Sequence, residues 1–414
     1  PNIKRPLQYQ EFNENTKRGN YMETREVYIV SAARTPIGDF RGALSPLGVV
    51  ELGSIVAEEV MKRAGVGKDC VQEIVAGMIY KGGQKGNPAR QIQIKCGFPE
   101  SGYACTIDQQ CGSGMRAMEV LSQQIMLGKT EVGLAIGMES MSNAAYVLTN
   151  ARSIRSGDQK LIDTITYDGL NCAICDYHMG RTAENIAEKY GITRQEQDEL
   201  AYMSHQRALK AQTDGKFKDE IVPVAITDRK GRVTVVEKDE HPKNSSLETL
   251  GNLPAVFKKD GTVTAGNASG INDGAAALLL MSKEAAEKYQ VKPMAKIVGT
   301  ASFGVDPAYM GLGPVYALPK AAEYAGLTLD DIEYFEINEA FAAQFIGCER
   351  ELKLSREKVN LNGSGIALGH PVGATGIRIL VSLLYEGKRQ NITYGAASLC
   401  VGGGPAIASV LEFL

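Results

Sequence analysis

Long apolar runs are missing from this 414-residue chain: none approaches the ~20 residues that a membrane-crossing helix needs. Charge of one sign is missing too, since 45 lysines and arginines face 48 aspartates and glutamates. That near-balance argues against a surface built for nucleic acid, while leaving room for a local basic patch that meets phosphates. Eight cysteines in a chain of this length do not make a disulfide framework. Cys172 and Cys175 form a C-x-x-C, but no second pair completes a four-cysteine zinc site. Reduced thiols, no metal and a cytoplasmic setting are therefore expected. Histidine is scarce, with four in all.

The leader, Pro1 to Tyr21, is polar and mixed in charge, without the apolar centre of a signal peptide. Glu11 and Glu14 speak against a transit peptide. A silent, partly disordered extension ahead of Met22 is the expectation.

Glycine, by contrast, is abundant: 45 residues of 414, above the ~7% of average usage. The length points to two or more domains with well-buried cores. Strand-like runs at Val27–Val30, Ile74–Ile79 and Val132–Ile136 alternate with helical patterns such as Val49, Leu52, Val56 and Val60. Such βαβ alternation predicts an α/β protein with a largely parallel, buried sheet. Residues 141–271 are richer in charge and turns and read as an insertion over the core, with helices over Thr182–Tyr190 and Arg194–Gln212. The alternation resumes at Ala295–Ala301, Tyr334–Ile337, Val359–Leu361 and Thr393–Ser398.

The most informative residue is Cys111, in Asp108-Gln109-Gln110-Cys111-Gly112-Ser113-Gly114-Met115. An apolar run ends at Ile107, and Met115, Met118, Leu121 and Ile125 then recur on one helical face. A cysteine at the start of a helix meets the positive end of its dipole, a field that favours the nucleophilic thiolate. Gly112 and Gly114 leave space for a substrate to come close. A core thiol is the plain alternative.

Three more pieces lie in the second half: Asn338-Glu339-Ala340-Phe341, the glycine-rich run Gly363 to Gly376 around His370, and Cys400-Val401-Gly402-Gly403-Gly404. Pro371 biases His370 toward extended backbone. Its alternative is a turn histidine. For Cys400 the alternative is a small residue ahead of a glycine turn. Both halves thus carry a cysteine followed by glycines, a hint of duplication.

Together, from about Glu26 to the C-terminus, these motifs resemble the thiolase family, and within it the biosynthetic acetoacetyl-CoA thiolases. The resemblance implies the thiolase fold: two similar α/β halves stacked as five layers (α/β/α/β/α), residues 22–140 plus 272–292 and 293–414, with a loop domain at 141–271. It also implies reversible joining of two acetyl-CoA into acetoacetyl-CoA and CoA through an acetyl-cysteine. The thioesters would be substrates with no further cofactor, and the protein a homodimer or homotetramer. Cys111 would be the nucleophile, His370 its proton acceptor, Cys400 the acid/base at the α-carbon, and Asn338 the holder of a water. Backbone N–H groups of Cys111 and Gly402 would form one oxyanion hole, and that water with His370 the other. Glu339 reads as a structural hydrogen-bonding partner. His178, Met179, Ala265, Ser269, Met310, Ala340, Phe341, Phe257 and Leu170 would line the pantetheine and acyl pocket. Asp108 stands where relatives are expected to carry asparagine. Arg229, Lys230, Arg232 and Lys243 are basic but carry no assigned phosphate contact. A thiolase for longer 3-ketoacyl-CoAs, and an inactive CoA-binding scaffold, are the competing functions.

Overall fold

A computed structural model describes residues 24–414; the expected leader lies outside the described residues. Nine strands build the main sheet: β1 (Val27–Arg34), β2 (Glu73–Gly77), β3 (Tyr103–Ile107), β4 (Val132–Ser140), β5 (Asn272–Ser282), β6 (Ala295–Gly304), β7 (Tyr334–Ile337), β8 (Tyr394–Cys400) and β9 (Pro405–Phe413). Their spatial order is β7-β8-β9-β6-β1-β5-β4-β2-β3, with the short Gly38–Asp39 strand added to β5. The two halves touch through two register pairs, Tyr28 with Lys296 and Ile29 with Ala295.

The sheet is mixed. Parallel pairing is confined to β2 with β3, β2 with β4, and β7 with β8; the other neighbours are antiparallel. The expectation of a largely parallel sheet is corrected here. β5 is the reason: it returns from the insertion and slots antiparallel between β1 and β4. All eleven of its residues are buried, so it shows no alternating pattern. Val359–Leu361 is not a strand either, since only Val359 forms an isolated bridge, with Phe335.

Helices α1 (Val49–Ala64), α2 (Ser113–Met126), α3 (Met179–Tyr190), α4 (Arg194–Thr213), α5 (Pro314–Tyr324), α6 (Ala342–Leu352) and α7 (Val372–Gln390) complete the frame. α1 covers one face of the first half-sheet, and α5 covers the outer face of the second. Between the half-sheets lie α2 and α7, which pack on each other and on strands of both halves. The result is five layers, helix, sheet, helix, sheet, helix. One apolar cluster runs through the middle, joining Met115, Leu121 and Ile125 of α2 to Ile377, Leu380 and Leu384 of α7.

Glycines let the central helices touch. A Cβ on Gly376 would stand 2.3 Å from the Met115 nitrogen, and one on Gly114 2.9 Å from the Gly373 oxygen. The two motifs that carry Cys111 and His370 are therefore brought together by backbone-to-backbone contact. α4 starts with a capping box, Thr193 with Glu196. α3 starts at His178, whose Nδ1 accepts the Gly180 N–H at 3.0 Å.

Candidate active site

Cys111 sits in the turn between β3 and α2. Gln110, just before it, has φ +48°, a left-handed conformation that costs an L-residue about 1–2 kcal/mol. Local hydrogen bonds hold it there. Asp108 Oδ1 accepts the Gln110 N–H at 2.9 Å, Ser113 Oγ accepts the Gln109 N–H at 2.9 Å, and the Ser113 hydroxyl donates to the Gln110 oxygen at 2.6 Å. Asp108 is also paired with Lys81 at 2.8 Å.

The Cys111 sulfur is half-buried and meets the Gly402 N–H. Burial pushes its thiol up to about 11; the Gly402 and Cys111 N–H groups pull the other way, and Glu139 and Asp108 add to the rise. The helix end does not leave a resting thiolate. Burial is the largest of these influences and favours the thiol at rest.

His370 is buried, and its segment is fixed at both ends. The His370 N–H donates to Asn272 Oδ1 at 2.9 Å, and Gly369 before it has φ +96°. Nδ1 lies 2.7 Å from the Thr375 hydroxyl, which itself donates to the Pro371 carbonyl at 3.0 Å. That hydroxyl can only accept from the ring, so Nδ1 carries the proton and Nε2 keeps its lone pair. Nε2 lies 3.5 Å from Asn338 Nδ2. Burial, helped by Arg378, lowers the imidazole to about 3, so the ring is neutral at rest.

Asn338 is fully buried, and its Oδ1 accepts from Arg378 Nη2 at 3.4 Å, which turns its amide nitrogen toward His370. Glu339 accepts from Ser204 at 2.6 Å and Asn360 at 3.0 Å and is buried; it ties α4 to the 360–364 segment. Cys400 ends β8, buried. Its thiol lies well above the ordinary range, first through burial and then through Cys111 and Cys348. The turn after it needs its glycines: Gly403 and Gly404 have φ +87° and +106°, and a Cβ on Gly404 would stand 2.3 Å from the Val305 oxygen.

The pocket residues fall into two groups. Met179, Met310, Ala340, Phe341 and Cys400 share one apolar cluster, with Phe257 packed against it. His178 stacks on Phe257 at 4.6 Å, and Phe257 meets Phe341 edge-on at 6.1 Å. The Ser269 N–H donates to the Ala340 carbonyl at 3.0 Å, and a Cβ on Gly402 would stand 2.7 Å from Met179 Cε. Leu170 belongs to the other group, a small cluster with Cys111, Ile79, Tyr80, Met141, Ile165 and Val372. Ala265 is exposed at a turn.

Two buried charged residues escaped the sequence reading. Arg378 orients Asn338, and Glu139, the residue before the end of β4, lies beside Cys111. Both belong to apolar-looking elements, and nothing in their spacing marks them. Among the basic candidates, Arg232 pairs with Asp228 at 2.7 Å on the surface.

Fold and site together define a two-halved α/β protein in which the Cys111 turn and the His370 segment are held together by the contact of α2 with α7, with Asn338 beside His370. The family models for the thiolase N-terminal and C-terminal domains match residues 27–284 and 291–413, and the chain belongs to the thiolase family. An acetyl-CoA acetyltransferase of Syntrophomonas wolfei is 49% identical over 398 residues, covering 94% of this chain and all of that protein. The solved structure of Acetyl-CoA acetyltransferase from Syntrophomonas wolfei superposes with a TM-score of 0.93 at 51% identity, over 95% of this chain and 100% of that one. The human mitochondrial 3-ketoacyl-CoA thiolase structure gives 0.92 at 39% identity, with the same coverage.

Proposed function

We propose that the protein is an acetyl-CoA C-acetyltransferase, joining two acetyl-CoA into acetoacetyl-CoA and CoA and running the reverse cleavage. The observation that carries this reading is the approach of the Cys111 helix to the His370 segment, where a Cβ on Gly114 would stand 2.9 Å from the Gly373 oxygen, with Asn338 Nδ2 3.5 Å from His370 Nε2.

In the first half-reaction the Cys111 sulfur attacks the thioester carbonyl of acetyl-CoA, and Nε2 of His370 takes the thiol proton. The two groups rest neutral, so the proton moves together with bond formation rather than ahead of it. The N–H groups of Cys111 and Gly402 meet the developing oxyanion. The C–S bond to CoA breaks, and the departing sulfur takes a proton from the Cys400 thiol, which leaves Cys400 as the thiolate and His370 still protonated at Nε2. In the second half-reaction the Cys400 thiolate removes an α-proton from a second acetyl-CoA. The negative charge that forms on its thioester oxygen is met by His370 Nε2–H and a water held by Asn338. The carbanion attacks the acetyl-Cys111 carbonyl, the bond to Cys111 breaks, the released Cys111 sulfur takes the Nε2 proton back from His370, and acetoacetyl-CoA leaves.

Met179, Met310 and Phe341 close the acyl end with bulky buried side chains, which favours two- and four-carbon acyl groups over long ones. Eight free thiols suit a reducing, cytoplasmic compartment. The edge strand β3 leaves Tyr103 half exposed, which fits assembly of this chain into a homo-oligomer.

The test is CoA-dependent cleavage of acetoacetyl-CoA beside a longer 3-ketoacyl-CoA, with Cys111→Ser as control. Fast turnover of the short substrate, lowered about 10³-fold or more in the control, is the expected result. Equal turnover of the longer substrate would move the reading to the broad-chain degradative class; no turnover of either would end it in favour of a scaffold.

A further inference from the structure

Among the described residues, Glu139 is a buried carboxylate beside Cys111 whose hydrogen-bond partners include no cation. It is the residue before the end of β4 and is wholly inaccessible to solvent. Its oxygens accept three backbone N–H groups: Ile79 at 2.9 Å and Gly373 at 3.0 Å on Oε2, and Tyr80 at 3.3 Å on Oε1. Gly373 lies in the first turn of α7, three residues past His370. Ile79 and Tyr80 belong to the cluster that includes Cys111. Tyr80 carries the connection outward, since its hydroxyl donates to the Ile165 carbonyl at 3.1 Å in the segment over the pocket. One carboxylate therefore bridges the His370 segment, the loop after β2 and, through Tyr80, the cover.

Asn272 complements it. β4 and β5 pair with Gly274 opposite Glu139, so Asn272 lies at the same end of the sheet and holds the His370 N–H. Two adjacent strand ends thus grip one catalytic segment at points three residues apart.

We propose that Glu139 is a positioning residue: it clamps the His370 segment against the Cys111 turn, and its charge sets how readily Cys111 gives up its proton. The inference rests on the acyl-transfer reading for its effect on turnover, but its electrostatic half does not. Burial pushes Glu139 up to about 8, against the pull of its three N–H donors, with Asp108 adding to the rise. The other titratable and charged groups around it are Cys111, Tyr80 and Asp108 with its partner Lys81, with His370 on the segment it holds and Asp273 on β5. Above its own midpoint Glu139 holds a negative charge near the sulfur and opposes thiolate formation.

The experiment compares the parent with Glu139→Gln and Glu139→Asp. Alkylation of Cys111 by iodoacetamide is followed against pH by mass spectrometry; an S–C bond forms, iodide leaves and the thiol proton goes to solvent. Acetylation of Cys111 by acetyl-CoA is followed by CoA release. The amide keeps an acceptor for Ile79 and Gly373 but turns a donor toward the Tyr80 N–H and carries no charge. Its alkylation midpoint is expected at lower pH than the parent's, and its acetylation about tenfold slower. The aspartate keeps the charge and withdraws the oxygens, so its midpoint stays and acetylation still slows about tenfold. A residue with only a structural role would lower the melting temperature without moving the Gln midpoint, and that result overturns the proposal. So does acetylation in either variant at the parental rate. If the amide variant does not fold, the aspartate decides on acetylation alone. Alkylation needs no thioester, so failure of the acyl-transfer reading would show as an unacetylated parent and leave the midpoint comparison intact.

Discussion

Asp108 shows how one side chain can both build a site and restrain it. Its carboxylate caps the left-handed Gln110 turn and at the same time raises the Cys111 thiol. Asp108→Asn keeps an acceptor for the Gln110 N–H and removes the charge. We expect Cys111 alkylation in this variant to shift to lower pH, by less than in Glu139→Gln, because Asp108 is partly exposed and paired with Lys81. An unshifted curve would show that solvent already screens this carboxylate. At this scale the sequence offers candidates wherever a reactive side chain has glycines beside it. Cys111, His370 and Cys400 announce themselves because a reactive side chain with glycines beside it rarely serves packing alone. Glu139 and Arg378 could not be read that way. A glutamate next to the end of an apolar strand resembles an ordinary solvent-facing end, and its partners lie 60 and 234 residues away. The burial that raises the Cys111 thiol is hidden for a related reason: helix position is visible in a sequence, whereas desolvation is not.

Among the secondary elements, the crossing of α2 and α7 matters most for the site, because it sets the spacing between Cys111 and His370. Gly376→Ala would place a methyl group 2.3 Å from the Met115 nitrogen, a backbone atom that cannot turn aside. We expect it to cost about 1–3 kcal/mol, read as a lower denaturation midpoint, with turnover falling as well. Gly251→Ala is the matched control; nothing lies within 4 Å of its Cβ, so stability should hold or rise slightly. The helices themselves were readable from their period and boundaries, as were most strands of the two halves. β5 was not. Being buried on both faces it has no alternation, and it follows a long insertion, so the sheet was read as largely parallel when its central pairings are antiparallel. Val359–Leu361 erred the other way, an extended segment that pairs at one residue.

For the whole molecule, buried titratable groups give stability a definite pH dependence. Glu139 and Glu336 are both raised, first by burial, from 4.5 to about 8. The folded chain therefore keeps protons that the unfolded chain releases, and these groups cost stability as pH rises from 4.5 to 8. His370 and His205, lowered by burial from 6.5 to about 3 and about 4, cost stability as pH falls below 6.5. Between 4.5 and 6.5 the two trends oppose each other; above 6.5 only the glutamates act. The melting temperature should fall between pH 6.5 and 8, and Glu336→Gln should flatten part of that slope in a thermal scan. A slope unchanged by the substitution would assign the loss to other groups. The meeting of Gly402 with Cys111 also has a consequence in time. A ribosome delivers residue 111 long before residue 402, and until the last two strands emerge and fold, the thiol lacks the donor that would polarise a thioester. The growing chain consequently holds Cys111 without that donor until Gly402 has been made and placed.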